Sequence, residues 1–167
     1  YKRQDAISAV PDGVYPIEVA IEQVGNGKDI KLKLTVEVKG SNITVDFAGS
    51  NAEIALPVNS VYNFTYAYTI FALKSALNPD IPNNEGSTLP ITVRAPEGSI
   101  VNCKFPAAVA HRAVIAHIIP DMLYRALAPA IPKRALAWSR SFGGSILMYG
   151  KHHNGERFFS MMFLGGG

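Results

Sequence analysis

The chain has 167 residues and a net charge of +3, enough for one domain, or two very small ones, with a buried core. Apolar residues make up 48% and charged residues only 17%, below the roughly one quarter usual in soluble chains, which predicts surface that something else covers. The positive charge excludes a nucleic-acid binder with a basic stripe, because Lys28, Lys31, Lys33 and Lys39 interleave with Asp29 and Glu37, and Lys133-Arg134 is only a pair.

The chain opens Tyr1-Lys2-Arg3-Gln4-Asp5, with neither Met nor the apolar core of a signal peptide. Tyr15, Ile17, Val19 and Ile21 then alternate with Pro16, Glu18, Ala20 and Glu22, the period of a half-buried strand. Gly25-Asn26-Gly27-Lys28-Asp29 is turn chemistry. Ile30, Leu32, Leu34, Val36 and Val38 alternate with Lys31, Lys33, Thr35, Glu37 and Lys39, the clearest strand in the chain. Gly40-Ser41-Asn42 turns it, and Ile43, Val45 and Phe47 continue the apolar face.

A helix is expected from Val61 to Leu77, capped by Asn59 or Ser60 and ended by Asn78-Pro79-Asp80. Its apolar side chains fall on every face, which predicts a buried helix. Residues 79–90 read as a loop, Ile91–Arg94 as a short strand and Ala95-Pro96-Glu97-Gly98-Ser99 as a tight turn before an extended Ile100-Val101. A second helical stretch runs from about Ala108 to Ala130, kinked or restarted at Pro120, with Asp121 in the first turn of its second part. Ile146–Lys151 and Arg157–Leu164, joined by a two-residue turn at Asn154-Gly155, form a hairpin. The chain then closes on Gly165-Gly166-Gly167, and both ends read as cut from something longer.

The fold class is therefore α+β: an antiparallel meander, a buried helix, a second kinked helix and a C-terminal β-hairpin. The expected parts of this single internal domain are 1–50 (meander), 51–135 (helical) and 136–167 (hairpin). No apolar run reaches membrane-spanning length, the longest being bounded by Pro57 and Lys74.

Spacing alone yields no catalytic constellation. His111 and His117 fall on different helix faces, and the adjacent His152 and His153 point to opposite sides, a poor metal set. Gly143-Gly144-Ser145 lacks the Lys and the helix of a phosphate loop. Cys103 is the only cysteine, which rules out an internal disulfide and suits a reducing cytoplasm; Lys104 beside it would lower its pKa. Arg112 and Asp121 would meet only across a kink, as a structural ion pair.

A series of motifs in register resembles the hydantoinase B/5-oxoprolinase family, the N-methylhydantoinase B-type subunits related to acetone carboxylase. Asp46-Phe47-Ala48-Gly49-Ser50 is similar to its Asp-Phe-Thr/Ser-Gly-Ser turn, and Pro57-Val58-Asn59 to its Pro-Ile-Asn. Leu77-Asn78-Pro79-Asp80-Ile81-Pro82-Asn83-Asn84-Glu85-Gly86 looks like its Leu-Asp-Pro-Asp-Ile-Pro loop. Ala95-Pro96-Glu97-Gly98-Ser99-Ile100-Val101-Asn102 resembles its Ala-Pro-Glu-Gly turn, and Pro106-Ala107-Ala108-Val109 follows. Arg112, His117, Pro120 and Asp121 resemble an Arg-x-x-x-Gly-His-x-x-Pro-Asp pattern, with Ala116 where Gly is usual.

The resemblance implies a piece of a cytoplasmic, ATP-dependent enzyme that opens hydantoins, 5-oxoproline or lactams, or carboxylates ketones. It implies a hydantoinase A-type partner that uses ATP, and a divalent metal in the full enzyme. The family's metal-binding motifs do not occur here, so neither a metal ligand nor a cofactor is assigned to this chain, and the isolated piece is expected to be inactive. The candidate site residues are Asn59, Arg112, His117 and Asp121. Of these, Arg112 is suited to clamp a carboxylate or phosphate and His117 to exchange a proton. The alternative is a non-catalytic scaffold or docking domain whose apolar helix and Met-rich hairpin form an interface.

Overall fold

The computed structural model describes residues 2–24, 28–82, 84–137 and 145–163. The expected Gly25-Asn26-Gly27 turn, the Gly143-Gly144 pair and Gly165-Gly166-Gly167 lie outside them. A four-stranded sheet is built from β1 (Gly13–Val24), β2 (Lys28–Lys39), β3 (Asn42–Asp46) and β4 (Ile91–Arg94), in that spatial order. The first three strands are an antiparallel meander, whereas β4 pairs parallel to β3, with Ile43 opposite Ile91 and Asp46 opposite Arg94. Parallel neighbours need a crossover. Here it is the long excursion that contains α2 (Tyr62–Leu77) and the short α3 (Glu85–Thr88).

The sheet is covered on one face only, as the alternation of β2 dictates. Ile30, Leu32, Leu34, Val36 and Val38 are buried, while Lys31, Glu37 and Lys39 on the opposite face are exposed. Helix α4 (Ala113–Leu127) lies against β1 and β2, α1 (Lys2–Ser8) against β3, and α2 against both β4 and α4. Ile115, Ile119, Met122, Leu123 and Leu127 supply the α4 side of the core. The result is the two-layer α+β architecture that the grouped strands imply. β1 is an edge strand, so Pro16 sits where its missing N–H is tolerated.

Several local expectations change. Helix α1 is an addition: Arg3 and Ile7 share its buried face, with Val10 buried just beyond its end, and a charged residue on that face hides the amphipathic pattern. The Arg3 guanidinium has no acceptor among the described residues, and burial pushes its pKa down from the ordinary value. Neither Asn59 nor Ser60 caps α2, whose N-cap is Val61 without a side-chain bond. Both side chains are engaged elsewhere, Asn59 with loop backbone and Ser60 with the Thr65 hydroxyl.

Helix α2 buries Thr65, Thr69, Ala72, Leu73, Ala76 and Leu77 but leaves Phe71 59% exposed, so it is covered along one side rather than all round. The 79–90 loop contains α3, capped by Asn84 through the Ser87 N–H. Helix α4 begins at Ala113 and runs through Pro120 as one element, so Asp121 lies mid-helix.

The hairpin pairs β5 (Ser145–Lys151) with β6 (Arg157–Phe163). Its turn has three residues, not two. The His152 N–H donates to Glu156 O, the Gly155 N–H donates to His152 O, and Gly155 takes φ +86°. That is a type I turn closed by a left-handed glycine, and the Asn154 side chain bonds Glu156 beside it. Both faces of the hairpin are apolar and open: Leu147 and Tyr149 on one, Ile146 and Met162 on the other, all at least 45% exposed.

Candidate functional site

The motifs that carry the resemblance are mostly turn-makers. In the first, the Asp46 carboxylate accepts from the Ala48 N–H at 2.8 Å, Phe47 is buried, and Gly49 takes φ +91°. The Ser50 hydroxyl then bonds the Lys33 backbone in both directions, and the Asn51 side-chain oxygen accepts from the Lys31 N–H. These bonds complete the edge of β2 past the end of β3. In the Ala95–Ser99 turn, Gly98 has φ +77° and the Ser99 hydroxyl donates to Pro96 O at 2.6 Å. Asn102 closes that turn by donating from Nδ2 to Ala95 O.

Asn59 belongs to the same class. It is fully buried, its Oδ1 accepts from the Ile54 N–H, and its Nδ2 donates to Ile54 O, Leu56 O and Ala108 O. It ties the approach to α2 to the loop that leads into α4, and it faces no open site. Cys103 is likewise a structural residue. Burial and the Glu53 carboxylate push its thiol up, and Lys104 instead pairs with Glu97 at 3.4 Å, so the expected lowering by Lys104 is reversed.

Of the other three candidates, Arg112 and His117 are linked through side chains of α2. Arg112 immediately precedes α4, while His117 and Asp121 follow on that helix one turn apart, which puts them on a common face. Packing of α2 against α4 brings one aromatic side chain to Arg112 and another to His117. The Arg112 guanidinium carbon lies 5.0 Å over the Phe64 ring, a cation–π arrangement. The Phe64 and Tyr68 rings are 5.0 Å apart, and the Tyr68 hydroxyl lies 2.8 Å from His117 Nε2. The sequence thus assembles a seam, Arg112–Phe64–Tyr68–His117, open to solvent along one side, with Arg112 exposed and the others half-buried.

Phe64 and Tyr68 are the members that spacing does not single out. Their signal is the four-residue aromatic step within α2, repeated by Tyr62 and Tyr66.

Chemically, the seam offers a guanidinium edge, a phenol and an imidazole. Among the described residues the guanidinium makes one long bond, 3.3 Å to Val109 O, which leaves its other N–H groups for an anion. No three His, Cys, Asp or Glu side chains converge among the described residues, so the donor set does not fit a metal ion. His111 is exposed, its backbone N–H bonded to Pro57 O, and His152 packs on Phe158 within the hairpin. A separate groove of about 700 Å³ runs between the outer side of α2 and α3, lined by Tyr66, Ile70, Phe71 and Lys74. No helix among the described residues is long and apolar enough to cross a membrane.

The chain and its fold are similar to known proteins. The family model described as hydantoinase B/oxoprolinase matches residues 2–167. A putative B-type D-/L-hydantoinase subunit of Pseudomonas sp. (strain NS671) is 31% identical over 146 residues, which is 80% of this chain and 25% of that protein. The crystal structure of an ATP-dependent caprolactamase from Pseudomonas jessenii superimposes with a TM-score of 0.85 at 23% identity, over 95% of this chain and 28% of that one. An acetone carboxylase solved in nucleotide-free form gives a TM-score of 0.78 at 17% identity, over 95% of this chain and 24% of that one. The chain spans about a quarter of the length of these relatives.

Proposed function

The chain belongs to the hydantoinase B/oxoprolinase family, and from that premise we propose that it is an internal domain of a B-type subunit in a cytoplasmic, ATP-dependent enzyme that opens cyclic amides or carboxylates a ketone. The observation that carries the reading is the match over residues 2–167 together with the polar seam between α2 and α4. ATP is used by an A-type partner subunit, and the divalent metal is held by parts of the B-type subunit outside this chain. Within this chain, Arg112 clamps the negative charge of the activated substrate or its carboxylate, and His117, with Asp121 one turn along, exchanges a proton. The test is turnover by the full-length complex on 5-oxoproline, hydantoin, caprolactam and acetone, with and without ATP. ATP-dependent consumption of one of them is expected. Consumption of none, or turnover indifferent to ATP, overturns the reading.

A docking role is the second reading, favoured by the hairpin whose Leu147, Tyr149, Phe159 and Met162 side chains are exposed on both faces. It predicts stable co-elution with the A-type partner through size exclusion, with the hairpin required and the α2/α4 seam dispensable.

A further inference from the structure

The proton that lies between Tyr68 and His117 decides what the seam can do. The 2.8 Å separation of the hydroxyl from Nε2 allows one proton on that line, held either by oxygen or by nitrogen. A phenol is a far stronger acid than the N–H of a neutral imidazole, and an imidazole nitrogen is the better acceptor, so the hydroxyl donates. The ring's own proton is then on Nδ1. The ring also packs against Tyr68, with centroids 5.3 Å apart. Tyr68 in turn contacts Phe64, on which Arg112 rests.

We propose that Tyr68 is a further member of the site. Its hydroxyl fixes His117 as the Nδ1–H tautomer and relays a proton to it from a water beside an anionic, carboxylate- or phosphate-bearing ligand held by Arg112. In that step an O–H bond of the water breaks and one forms at the Tyr68 oxygen, while the hydroxyl's original proton passes to His117 Nε2. The products are hydroxide and imidazolium, with no change in oxidation state. The reacting oxygen is the water's; Tyr68 carries the proton across, and His117 is the base that takes it up. The inference rests on the reading of Arg112 and His117 as site residues, and its first test does not depend on ATP, a partner or a known substrate.

That test is nitrogen-15 NMR of the histidine side chains in the 167-residue chain, at alkaline pH where imidazole is neutral, with the His117 signals identified by their loss in His117→Gln. The expected result is a protonated Nδ1 and an unprotonated Nε2, and a shift toward a mixture of tautomers in Tyr68→Phe. Phe keeps the ring contacts with Phe64, and a thermal melt checks that the variant is folded. A protonated Nε2 in the unmodified chain, or a tautomer unchanged in a folded Tyr68→Phe, overturns the proposal. In the full-length complex, Tyr68→Phe is expected to lower kcat on the order of tenfold or more with KM within about twofold. An unchanged kcat there also overturns it. Absence of ATP-dependent turnover by the unmodified complex would remove the functional reading above while leaving the tautomer result to stand or fall by itself.

Discussion

Replacing Asn59 with Ala is expected to cost about 3–4 kcal/mol of folding stability, read as a lowered urea midpoint at unchanged m-value. The side chain is fully buried and serves both ends of its amide: Oδ1 accepts from Ile54 N–H, and Nδ2 reaches Ile54 O, Leu56 O and Ala108 O. Alanine leaves those groups without their partner at a part-buried site, at about 1–3 kcal/mol for each group that stays unsatisfied. Partial relaxation of the 54–56 loop keeps the sum below the full total. Asn59→Asp is expected to be no better, because a carboxylate cannot donate to the carbonyls and brings a buried charge. A loss under about 1 kcal/mol for Asn59→Ala would show that the loops do not depend on it. The same substitution is expected to disturb the seam, since the bond to Ala108 O fixes the loop that delivers Arg112 to Phe64.

Phe47→Ala is expected to cost about 3–5 kcal/mol by the same measurement. Phe47 is 1% exposed and sits at the end of β3, where its N–H bonds Arg94 O and its ring fills the core beneath the turn. Removing the ring opens a cavity that strands fixed on both sides cannot collapse into. The neighbouring Ala48 is exposed, and Ala48→Ser is expected to stay within about 0.5 kcal/mol. If both substitutions were equally mild, the Asp46–Ser50 motif would owe its presence to something other than packing and turn geometry.

How much of this is legible in the sequence depends on whether the forces are local. β2 is readable because the period of its apolar residues matches the pleat and one face alone is covered, so Ile30 through Val38 declare themselves. The turn after β3 is readable from Asp46, Gly49 and Ser50, each of which acts within a few residues or on the adjacent strand. Helix α1 is not, because it is short and Arg3 occupies its buried face. The hairpin turn is longer than expected because Asn-Gly serves both two- and three-residue turns, and the choice depends on which pair of strand residues meets first.

The candidate site divides in the same way. Arg112, His117 and Asp121 are visible as polar residues in an apolar stretch; His117 and Asp121 share a face of α4, while Arg112 precedes the helix and reaches the seam through Phe64. Asn59 is visible too, but its fixed bonds make it a structural tie. Tyr68 is not, since it lies 49 residues from His117 and the two meet only when α2 packs on α4. Inside the run from Tyr62 to Leu77 it reads as one more apolar position.

We propose that the seam between α2 and α4, rather than the motif turns, is where this chain meets substrate. Its most direct test is kcat/KM of the full-length complex carrying Arg112→Ala or His117→Ala. A fall of about tenfold or more for each, roughly 1.4 kcal/mol of lost transition-state stabilisation, is the predicted result. Values within about twofold of the unmodified complex for both variants would contradict it.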